Sequence, residues 1–302
     1  MMIANMAMGL YIHTNFNMRQ SIKPLIACQW GQGSPYNGKL KVGSKTMLVG
    51  CTALAIAQIC YYWMVQKGYH RGSKATAEYT TPTNKYAMSA LPALMVFDWK
   101  NLVPKPTTTA QKNAVATLCE YIAKALKSDF GKNATSANRT AVENVLTYHL
   151  RMGSPKHIYK STTVDFEQQI YNNIVSGKPV FLSATSSGGH SFVLDGYDAE
   201  TKKYHVNWGW SGKFDDYYAL NGLKVDGLNY TGSLMAVVNI EPAYILGDVN
   251  GDGKINISDV VSAVNAANKG AVTKQNDINL DGKVTVEDAE IIVDHLIKGD
   301  VL

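Results

Sequence analysis

An apolar stretch that begins directly after Gly50 constrains the fold of this chain more than any other feature. From Cys51 to Trp63 it contains one amide side chain, Gln58, and no charge, and Ala, Leu and Ile dominate it. These residues favour helix, and apolar residues on every side of a helix indicate that it is buried all round. The stretch is too short to cross a bilayer. We therefore predict a central core helix.

The position of Cys51 in the first turn of this helix favours a reactive thiolate. Unpaired backbone N–H groups and the helix dipole stabilise an anion there. A free cysteine more often fills core space, and we interpret Cys60 on the same helix in that way. The other two cysteines, Cys28 and Cys119, complete a set with no CxxC spacing. Neither a disulfide framework nor a zinc site is indicated.

Composition and charge describe a globular protein with an acidic tail. The 302 residues are 46% hydrophobic and 18% charged, which allows a large core. From residue 247 onward ten acidic residues face five basic ones, while the preceding part has a net charge of +10. The basic residues are scattered, so nucleic-acid binding is not indicated. No apolar run reaches the length of a membrane span, and the N-terminus lacks the basic segment of a signal peptide.

Helical periodicity dominates the first half of the chain and strand patterns the second. The predicted helices are the central one, ending near residues 67–68, and 110–127, 140–152 and 164–175. The predicted strands are 179–184, 191–197, 204–210, 217–220 and 233–240. Helices followed by an antiparallel sheet are typical of an α+β fold, which we expect to end near residues 241–242.

A histidine and an asparagine are expected to meet in this sheet. His190 follows two glycines at the start of a strand, and the next strand ends at Asn207. If the two strands fold back around residues 198–203, His190 and Asn207 lie within a few residues of opposite. The Asn207 amide could then accept a hydrogen bond from one imidazole nitrogen and aim the other at a thiol. Trp208 could screen that bond from water.

Together with Cys51, these side chains form a set suited to acyl transfer. Gln32, in a glycine-rich loop, could donate a hydrogen bond to a developing oxyanion. A thiolate, an imidazolium, an orienting amide and an oxyanion donor are the parts that this chemistry needs. Each residue alone is more often structural, but the combination favours catalysis.

Four sequence blocks resemble the conserved blocks of one family, the streptopain-like cysteine peptidases, and they occur in the same order. They span about residues 25–240 and are Gly31–Asn37, Gly50–Cys51 with Ala57–Ile59, Gly189–Tyr197 and His205–Trp210. The resemblance implies a papain-like peptidase domain over residues 28–242. It also implies an endopeptidase that cleaves polypeptides, often with a hydrophobic residue preceding the one at the scissile bond, and needs no cofactor for catalysis.

The same resemblance implies a role for each candidate residue. Cys51 would be the nucleophile and His190 the general base and acid. Gln32 would lie in the oxyanion hole, Asn207 would orient the imidazole, and Trp208 would pack over that pair.

The sequence departs from the family pattern at two places. Members are normally made with a signal peptide and an inhibitory pro-domain, and residues 1–27 are too few for either in full. We interpret residues 1–27 as a lead-in that could be the remnant of a pro-region. The segment between Gln32 and Cys51 is also shorter than in streptopain. Neither departure removes a catalytic group.

The acidic tail contains two loops with the spacing of EF-hand-type calcium loops. Oxygen-bearing side chains stand at positions 1, 3, 5, 9 and 12, a glycine at 6, and a carbonyl is available at 7. The predicted ligands are Asp248, Asn250, Asp252, Lys254 (carbonyl), Asn256 and Asp259 in the first loop, and Asp277, Asn279, Asp281, Lys283 (carbonyl), Thr285 and Asp288 in the second. We predict two structural calcium ions, and short helices over 260–267 and 289–297.

Aspartate at position 12 and one helix per loop resemble a dockerin domain, here residues 243–302. The resemblance implies a cohesin-like partner and a location outside the cytoplasm: extracellular, periplasmic or at the cell surface. Positions 10 and 11 are Ile257-Ser258 in one repeat and Val286-Glu287 in the other, so symmetric two-way binding is not assumed. Alternatively, the module packs on its own peptidase domain and only stabilises it.

Two functions stay open from the sequence. The first is a cysteine endopeptidase with a calcium-dependent docking tail. The second is an inactive adhesin or scaffold subunit that retains the peptidase fold.

Overall fold

The computed structural model describes residues 19–69, 73–92, 97–186, 188–243, 245–273, 275–279 and 281–298. The helices are α1 (Cys51–Cys60), α2 (Thr109–Ala125), α3 (Val142–Asn144), α4 (Phe166–Val175), α5 (Ile257–Lys269) and α6 (Val286–Lys298). The strands are β1 (Lys41–Val42), β2 (Lys45–Thr46), β3 (Tyr79–Thr80), β4 (Ala87–Met88), β5 (Lys156–Tyr159), β6 (Val180–Thr185), β7 (Gly189–Asp198), β8 (Lys203–Asn207), β9 (Asp216–Tyr218), β10 (Lys224–Val225), β11 (Leu228–Asn229) and β12 (Gly232–Val238). An α+β body followed by a small helical module confirms the predicted class.

The main sheet has six antiparallel strands in the order β5-β12-β6-β7-β8-β9. Successive side chains of a strand point to opposite faces, and both faces of this sheet are covered. The paired residues Phe181 and Val193 belong to the core around α1, whereas their neighbours Leu182 and Phe192 belong to the core around α4. Burial on both faces explains why these strands read as nearly continuous apolar runs.

The predicted central helix is confirmed as α1. Every residue from Thr52 to Cys60 is buried, because α1 packs against the sheet on one side and against α2 on the other. The helix continues as a π-helical turn over Tyr61–Gln66, close to its predicted end. The Trp63 indole fixes this turn by donating to the Ile240 carbonyl at 2.9 Å.

Some of the predicted elements differ from the structure. Residues 140–152 form a 3-10 turn, the single turn α3 and a π-helical turn rather than one helix. In this segment the buried His149 ring is hydrogen-bonded through Nδ1 to the Tyr121 hydroxyl at 3.1 Å. Local periodicity does not encode such a tertiary contact. Strand β5 was not predicted, because only Ile158 of its four residues is buried.

The described part of the lead-in lies against the sheet. Ile22 exchanges backbone hydrogen bonds with Tyr197 of β7 at 2.7 and 2.8 Å. The Arg19 guanidinium lies 4.6 Å from the Tyr171 ring centre and 2.9 Å from a Glu167 carboxylate oxygen. Residues 19–27 are therefore part of the α+β body, while residues 1–18 lie outside the described residues.

The C-terminal module is built on α5 and α6. Its core contains Ala263, Ile278, Ala289 and Ile292. Both helices begin earlier than predicted, at position 10 of each loop, because the residue at position 9 caps the helix. Asn256 accepts a hydrogen bond from the Ser258 amide at 2.8 Å, as an N-cap side chain does. Within the described ranges, no helix has both the length and the apolar character needed to cross a membrane.

Candidate active site

Cys51 is the first residue of α1, and the backbone before it is unusual. Gly50 has φ 88° and ψ 140°, and a Cβ there would lie 3.0 Å from Thr135 atoms, so only glycine fits. Among the residues that the structure describes, no side chain caps the first-turn N–H groups of α1. These amides can therefore face an anion beside the Cys51 sulfur.

Cys51 is also the cysteine with an exposed surface. Cys28, Cys60 and Cys119 are fully buried and unpaired. Burial raises the pKa of the Cys119 thiol to about 12 and raises the pKa values of Cys28 and Cys60 as well. These three thiols stay protonated and inaccessible, so they are core thiols, as we interpreted Cys60.

His190 lies near the start of β7 in an aromatic pocket. Its ring stacks on Trp210 at 4.7 Å and on Trp208 at 6.0 Å, and it is 5% exposed. Nε2 lies 2.9 Å from the Trp208 carbonyl oxygen. A carbonyl only accepts, so Nε2 carries a proton and Nδ1 of the neutral ring is free to accept one. Burial lowers the pKa of His190 to about 4, although the bond to Trp208 opposes this shift.

Two contacts bring Cys51 and His190 to the same place. The neighbours of these residues, Thr52 and Ser191, share a 3.1 Å hydrogen bond between their hydroxyls. The Tyr230 ring lies 5.5 Å from the His190 ring, and its pKa is raised by burial and by the nearby Cys51. Among the described residues no hydrogen bond joins the Cys51 sulfur to His190, and such bonds are often long before substrate binds.

Asn207 does not contact His190 directly. Asn207 pairs with Val193 across β7 and β8, so its side chain points to the α1 face of the sheet. His190 is three residues before Val193, and an odd separation places it on the other face. The Asn207 amide instead donates to the Cys28 carbonyl at 2.9 Å and accepts from Gln58 at 3.0 Å. The expected His190–Asn207 bond is thus replaced by the bond from His190 to the Trp208 carbonyl.

Trp208 contributes more than its ring. The indole is fully buried, lies 4.5 Å from the Phe192 ring and stacks on the His190 ring at 6.0 Å. Its backbone N–H donates to an Asp215 carboxylate oxygen at 2.9 Å. Burial raises the pKa of Asp215 to about 6. Asp215 was not among the predicted site residues, because a contact to a backbone amide leaves no spacing pattern in a sequence.

Gln32 lies beside the entrance to α1. Its carbonyl accepts a hydrogen bond from the Val49 amide at 3.0 Å, two residues before Cys51. The preceding residue, Gly31, bridges to Trp210. Gln32 is half-buried, and no hydrogen bond occupies its side-chain amide among the described residues. This amide is therefore available to a ligand near Cys51 and Trp210.

The two loops of the C-terminal module repeat one hydrogen-bond pattern. Carboxylates at position 1 accept from the glycine at position 6: Asp248 from Gly253 at 2.8 Å and Asp277 from Gly282 at 3.1 Å. The position 12 carboxylates Asp259 and Asp288 are fully buried. Leu280 of the second loop lies outside the described residues.

Each buried position 12 carboxylate also holds its loop closed from the far end. Asp259 accepts from the Asn250 and Asn256 amides at 3.0 and 2.9 Å. Asp288 accepts from the Ile278 and Thr285 amides at 2.7 and 2.8 Å.

This oxygen-rich geometry fits a hard cation. Oδ1 of Asp277 is buried without a hydrogen-bond partner among the described residues, which is costly unless a cation neutralises it. In the described part of the chain no three His, Cys, Asp or Glu side chains converge as a metal cluster. The oxygens available therefore mix carboxylates, asparagine amides and carbonyls, the set that calcium accepts. Position 9 side chains already serve as helix caps.

Comparison with known proteins assigns both parts of the chain. The family model described as Peptidase C10 family matches residues 30–218, and the model for the Dockerin type I domain matches residues 246–297. Streptopain from Streptococcus pyogenes serotype M28 (strain MGAS6180) is 28% identical over 240 residues, which cover 70% of this chain and 60% of the relative. The thiol protease/hemagglutinin PrtT of Porphyromonas gingivalis is 25% identical over 236 residues, covering 71% and 26%. This chain thus spans about 60% of the length of the streptopains that it matches.

Solved structures agree with this assignment. The active wild-type interpain A cysteine protease of Prevotella intermedia superposes with a TM-score of 0.65 and 26% identity, covering 73% of this chain and 95% of that one. A mutant prointerpain A fragment from the same organism gives a TM-score of 0.61 at 24% identity, covering 73% and 72%.

Proposed function

The chain belongs to the Peptidase C10 family, and on that premise we propose that it is a cysteine endopeptidase that hydrolyses polypeptide substrates at Cys51. One observation carries the proposal. The first residue of α1 is a half-buried cysteine, and a hydrogen bond between Thr52 and Ser191 ties its neighbour to the neighbour of a buried histidine.

The chemistry follows from the protonation of His190. Nδ1 accepts the proton of the Cys51 thiol, and the thiolate attacks the carbonyl carbon of the scissile peptide bond. The carbonyl oxygen becomes an oxyanion, for which the first-turn amides of α1 and the Gln32 side chain are the available donors. The imidazolium then gives its proton to the leaving amine, which leaves a thioester. Water, deprotonated by His190, hydrolyses the thioester and regenerates the thiol.

Two further residues prepare the base in this proposal. Asn207 and Trp208 keep the His190 ring oriented, Trp208 directly through its carbonyl and Asn207 indirectly through its backbone contacts. The Trp208 indole excludes water from the bond between His190 and that carbonyl. A thiolate at Cys51 favours the imidazolium, which opposes the lowering of the His190 pKa by burial.

Labelling with iodoacetamide at different pH values tests this assignment. We expect fast and selective labelling of Cys51 at pH 6, lost in His190→Ala, together with casein hydrolysis that Cys51→Ala abolishes. Cys119→Ala is the matched control and should retain both signals, because its thiol is buried. Slow labelling that rises only above pH 8, without casein hydrolysis, would indicate the inactive scaffold instead.

We also propose that residues 246–297 bind two structural calcium ions and dock on a cohesin-like protein outside the cytoplasm. At position 10 of each loop, Ile257 and Val286 are 67% and 54% exposed, so both can meet a partner. Because the following residues are Ser258 and Glu287, we expect the two repeats to bind with different strength. Calorimetry with calcium, and pull-down with a cohesin at saturating calcium and with chelator, test the two parts separately.

A further inference from the structure

The single amide of α1, Gln58, is fully buried two turns after Cys51. A buried amide is costly unless its polar atoms are paired. Here both ends are paired: the side-chain oxygen accepts from the Trp30 amide at 3.0 Å, and the nitrogen donates to the Asn207 side-chain oxygen at 3.0 Å.

The Asn207 side chain also contacts the turn that follows β8. Its oxygen also accepts from the Gly209 amide at 3.1 Å, and its nitrogen donates to the Cys28 carbonyl at 2.9 Å. Asn207 thereby links three segments: helix α1, the loop that begins at Cys28, and the turn after β8.

The Gly209 N–H and the Trp208 carbonyl belong to one peptide group. A trans peptide is planar, and its N–H and C=O point in opposite directions. The N–H donates to the Asn207 side-chain oxygen, and the carbonyl oxygen accepts a hydrogen bond from His190 Nε2 at 2.9 Å. An amide that fixes the N–H therefore also fixes the direction of the carbonyl that holds the imidazole.

We propose that Gln58 is a positioning residue for His190, acting through Asn207 and the Trp208–Gly209 peptide. The inference rests on the proposed peptidase function and deepens it. Because Gln58 and Cys51 stand on one rigid helix, the same element that carries the nucleophile sets the angle of the base. The Gln58–Asn207 pair lies on the α1 face of the sheet and orients His190 through the Trp208–Gly209 peptide. It thereby replaces a direct hydrogen bond from Asn207 to His190, which lies on the other face.

The other groups around His190 are aromatic rings, so the Trp208–Gly209 peptide is the group that supports the imidazole by a hydrogen bond. Trp208, Trp210, Phe192 and Tyr230 surround the ring as aromatic neighbours. Among the described residues the one hydrogen bond of the imidazole is that to the Trp208 carbonyl.

Other groups act on the same turn from further away. The Asp215 carboxylate holds the preceding peptide through the Trp208 N–H. Cys51 contributes the reacting thiol.

The test compares Gln58→Met with Asn173→Leu. Gln58→Met keeps the size of the side chain and removes both hydrogen bonds. Asn173 is a matched buried amide in α4 whose side chain bonds the Asn239 and Gln169 backbones, neither of which belongs to the His190 pocket. We expect Gln58→Met to lower kcat on labelled casein by about 10- to 100-fold with a small change in KM, and to slow Cys51 labelling at pH 6. Asn173→Leu should lower the melting temperature and leave both rates unchanged.

A second variant covers the case in which Gln58→Met does not fold. Gln58→Glu keeps the shape and, when its carboxyl is protonated, a donor that can face Asn207. The ratio of its kcat to that of the parent should be near one at pH 5 and should fall as the carboxyl ionises, while the protein stays folded by circular dichroism. A ratio that is constant with pH, or a folded Gln58→Met with parental kcat and labelling, overturns the inference.

Failure of the proposed function gives a different result. In that case the parent itself shows no casein hydrolysis and no selective labelling of Cys51.

Discussion

His190 lies between aromatic rings with no carboxylate hydrogen-bonded to its imidazole in the described residues, so burial dominates its acidity. The pKa is lowered to about 4 from its ordinary value of 6.5. The half-buried Trp210 ring, 4.7 Å away, is the part of this enclosure that a single substitution can open to water.

Trp210→Ala should therefore raise the pKa of His190 from about 4 toward 6.5. Water then solvates the imidazolium, which burial disfavours. The measurement is an NMR titration of the His190 ring in the Cys51→Ala background, where no thiolate contributes. Trp99→Ala, which removes a ring packed on Phe97 instead, is the control and should leave the titration unchanged. An unchanged His190 titration in Trp210→Ala would refute burial as the cause.

Asp215 is a second residue whose ionised form is disfavoured by burial. Burial raises its pKa to about 6 in the folded protein, above its ordinary value of 3.8. Between these two values the folded state binds more protons than the unfolded state, so the stability linked to Asp215 falls as pH rises from about 3.8 to 6.

Asp215→Asn removes this charge and keeps an oxygen that can accept from the Trp208 amide. We expect its melting temperature to exceed that of the parent at pH 7 and to match it at pH 4. Thermal unfolding at both pH values measures this. Asp226→Asn, on a surface turn, is the control and should show no such difference. A lower melting temperature at pH 7 would mean that the charged hydrogen bond outweighs desolvation.

The turn after β8 lies directly against α1. Gly209 has φ 72°, and a Cβ there would lie 2.9 Å from a Leu54 methyl group. The close approach brings the His190-holding carbonyl to the helix that carries Cys51.

Gly209→Ala should cost about 1–3 kcal/mol of unfolding free energy through strain at positive φ, plus the shift that Leu54 demands, and should lower kcat. Urea unfolding and casein hydrolysis measure the two effects. Gly43→Ala is the control: φ is 59° there, but a Cβ meets nothing within 4 Å. Parental kcat in Gly209→Ala would show that the turn can move without disturbing His190.

The predicted elements of the sheet match the structure where apolar runs are long. Strand 191–197 was predicted and β7 spans Gly189–Asp198, because both faces of β7 are buried. The pairing of β7 with β8 also follows from the sequence, since the turn at 198–203 connects them. The sequence does not define the register of this pairing to within one residue, and a shift of one residue moves a side chain to the other face of the sheet. For this reason the sequence pattern predicted that His190 and Asn207 lie near each other, but it predicted a direct hydrogen bond that the structure does not contain among the described residues.

Candidate residues were easier to recognise than their contacts. Cys51, His190 and Gln32 stand in blocks that are legible in one sequence. Asp215 acts on a backbone amide, and Gln58 acts through a second side chain. Such roles depend on three-dimensional distance, so no spacing in the chain signals them.

At the scale of the whole molecule, the C-terminal module is the part that should respond to calcium. A ligand that binds only the folded state stabilises it, by about 2.7 kcal/mol when its free concentration is 100 times Kd. Without the ion, the Asp277 oxygen that lacks a hydrogen-bond partner in the described residues opposes folding.

Chelation should therefore melt α5 and α6 and leave the six-stranded sheet folded. Circular dichroism should show loss of helix, and casein hydrolysis should persist. Asp277→Ala should remove one binding event in calorimetry with calcium. Asp294→Asn, which breaks only an exposed ion pair with Lys298, should retain both. Two binding events in Asp277→Ala, or no calcium binding to the parent, would contradict the assignment.

The carbonyl of Trp208 gives the pocket an unusual kind of mutational robustness. A main-chain acceptor is present whatever amino acid is encoded at position 208, so no codon change there can delete the group that accepts the hydrogen bond from His190 Nε2. Substitutions at position 208 change the packing and the exclusion of water that the indole provides, but they leave this acceptor in place. In a random library, losses of activity through a misdirected base should therefore cluster at positions 58, 207, 209 and 215. Residues at these positions orient the backbone around the Trp208 carbonyl and do not contact the imidazole themselves.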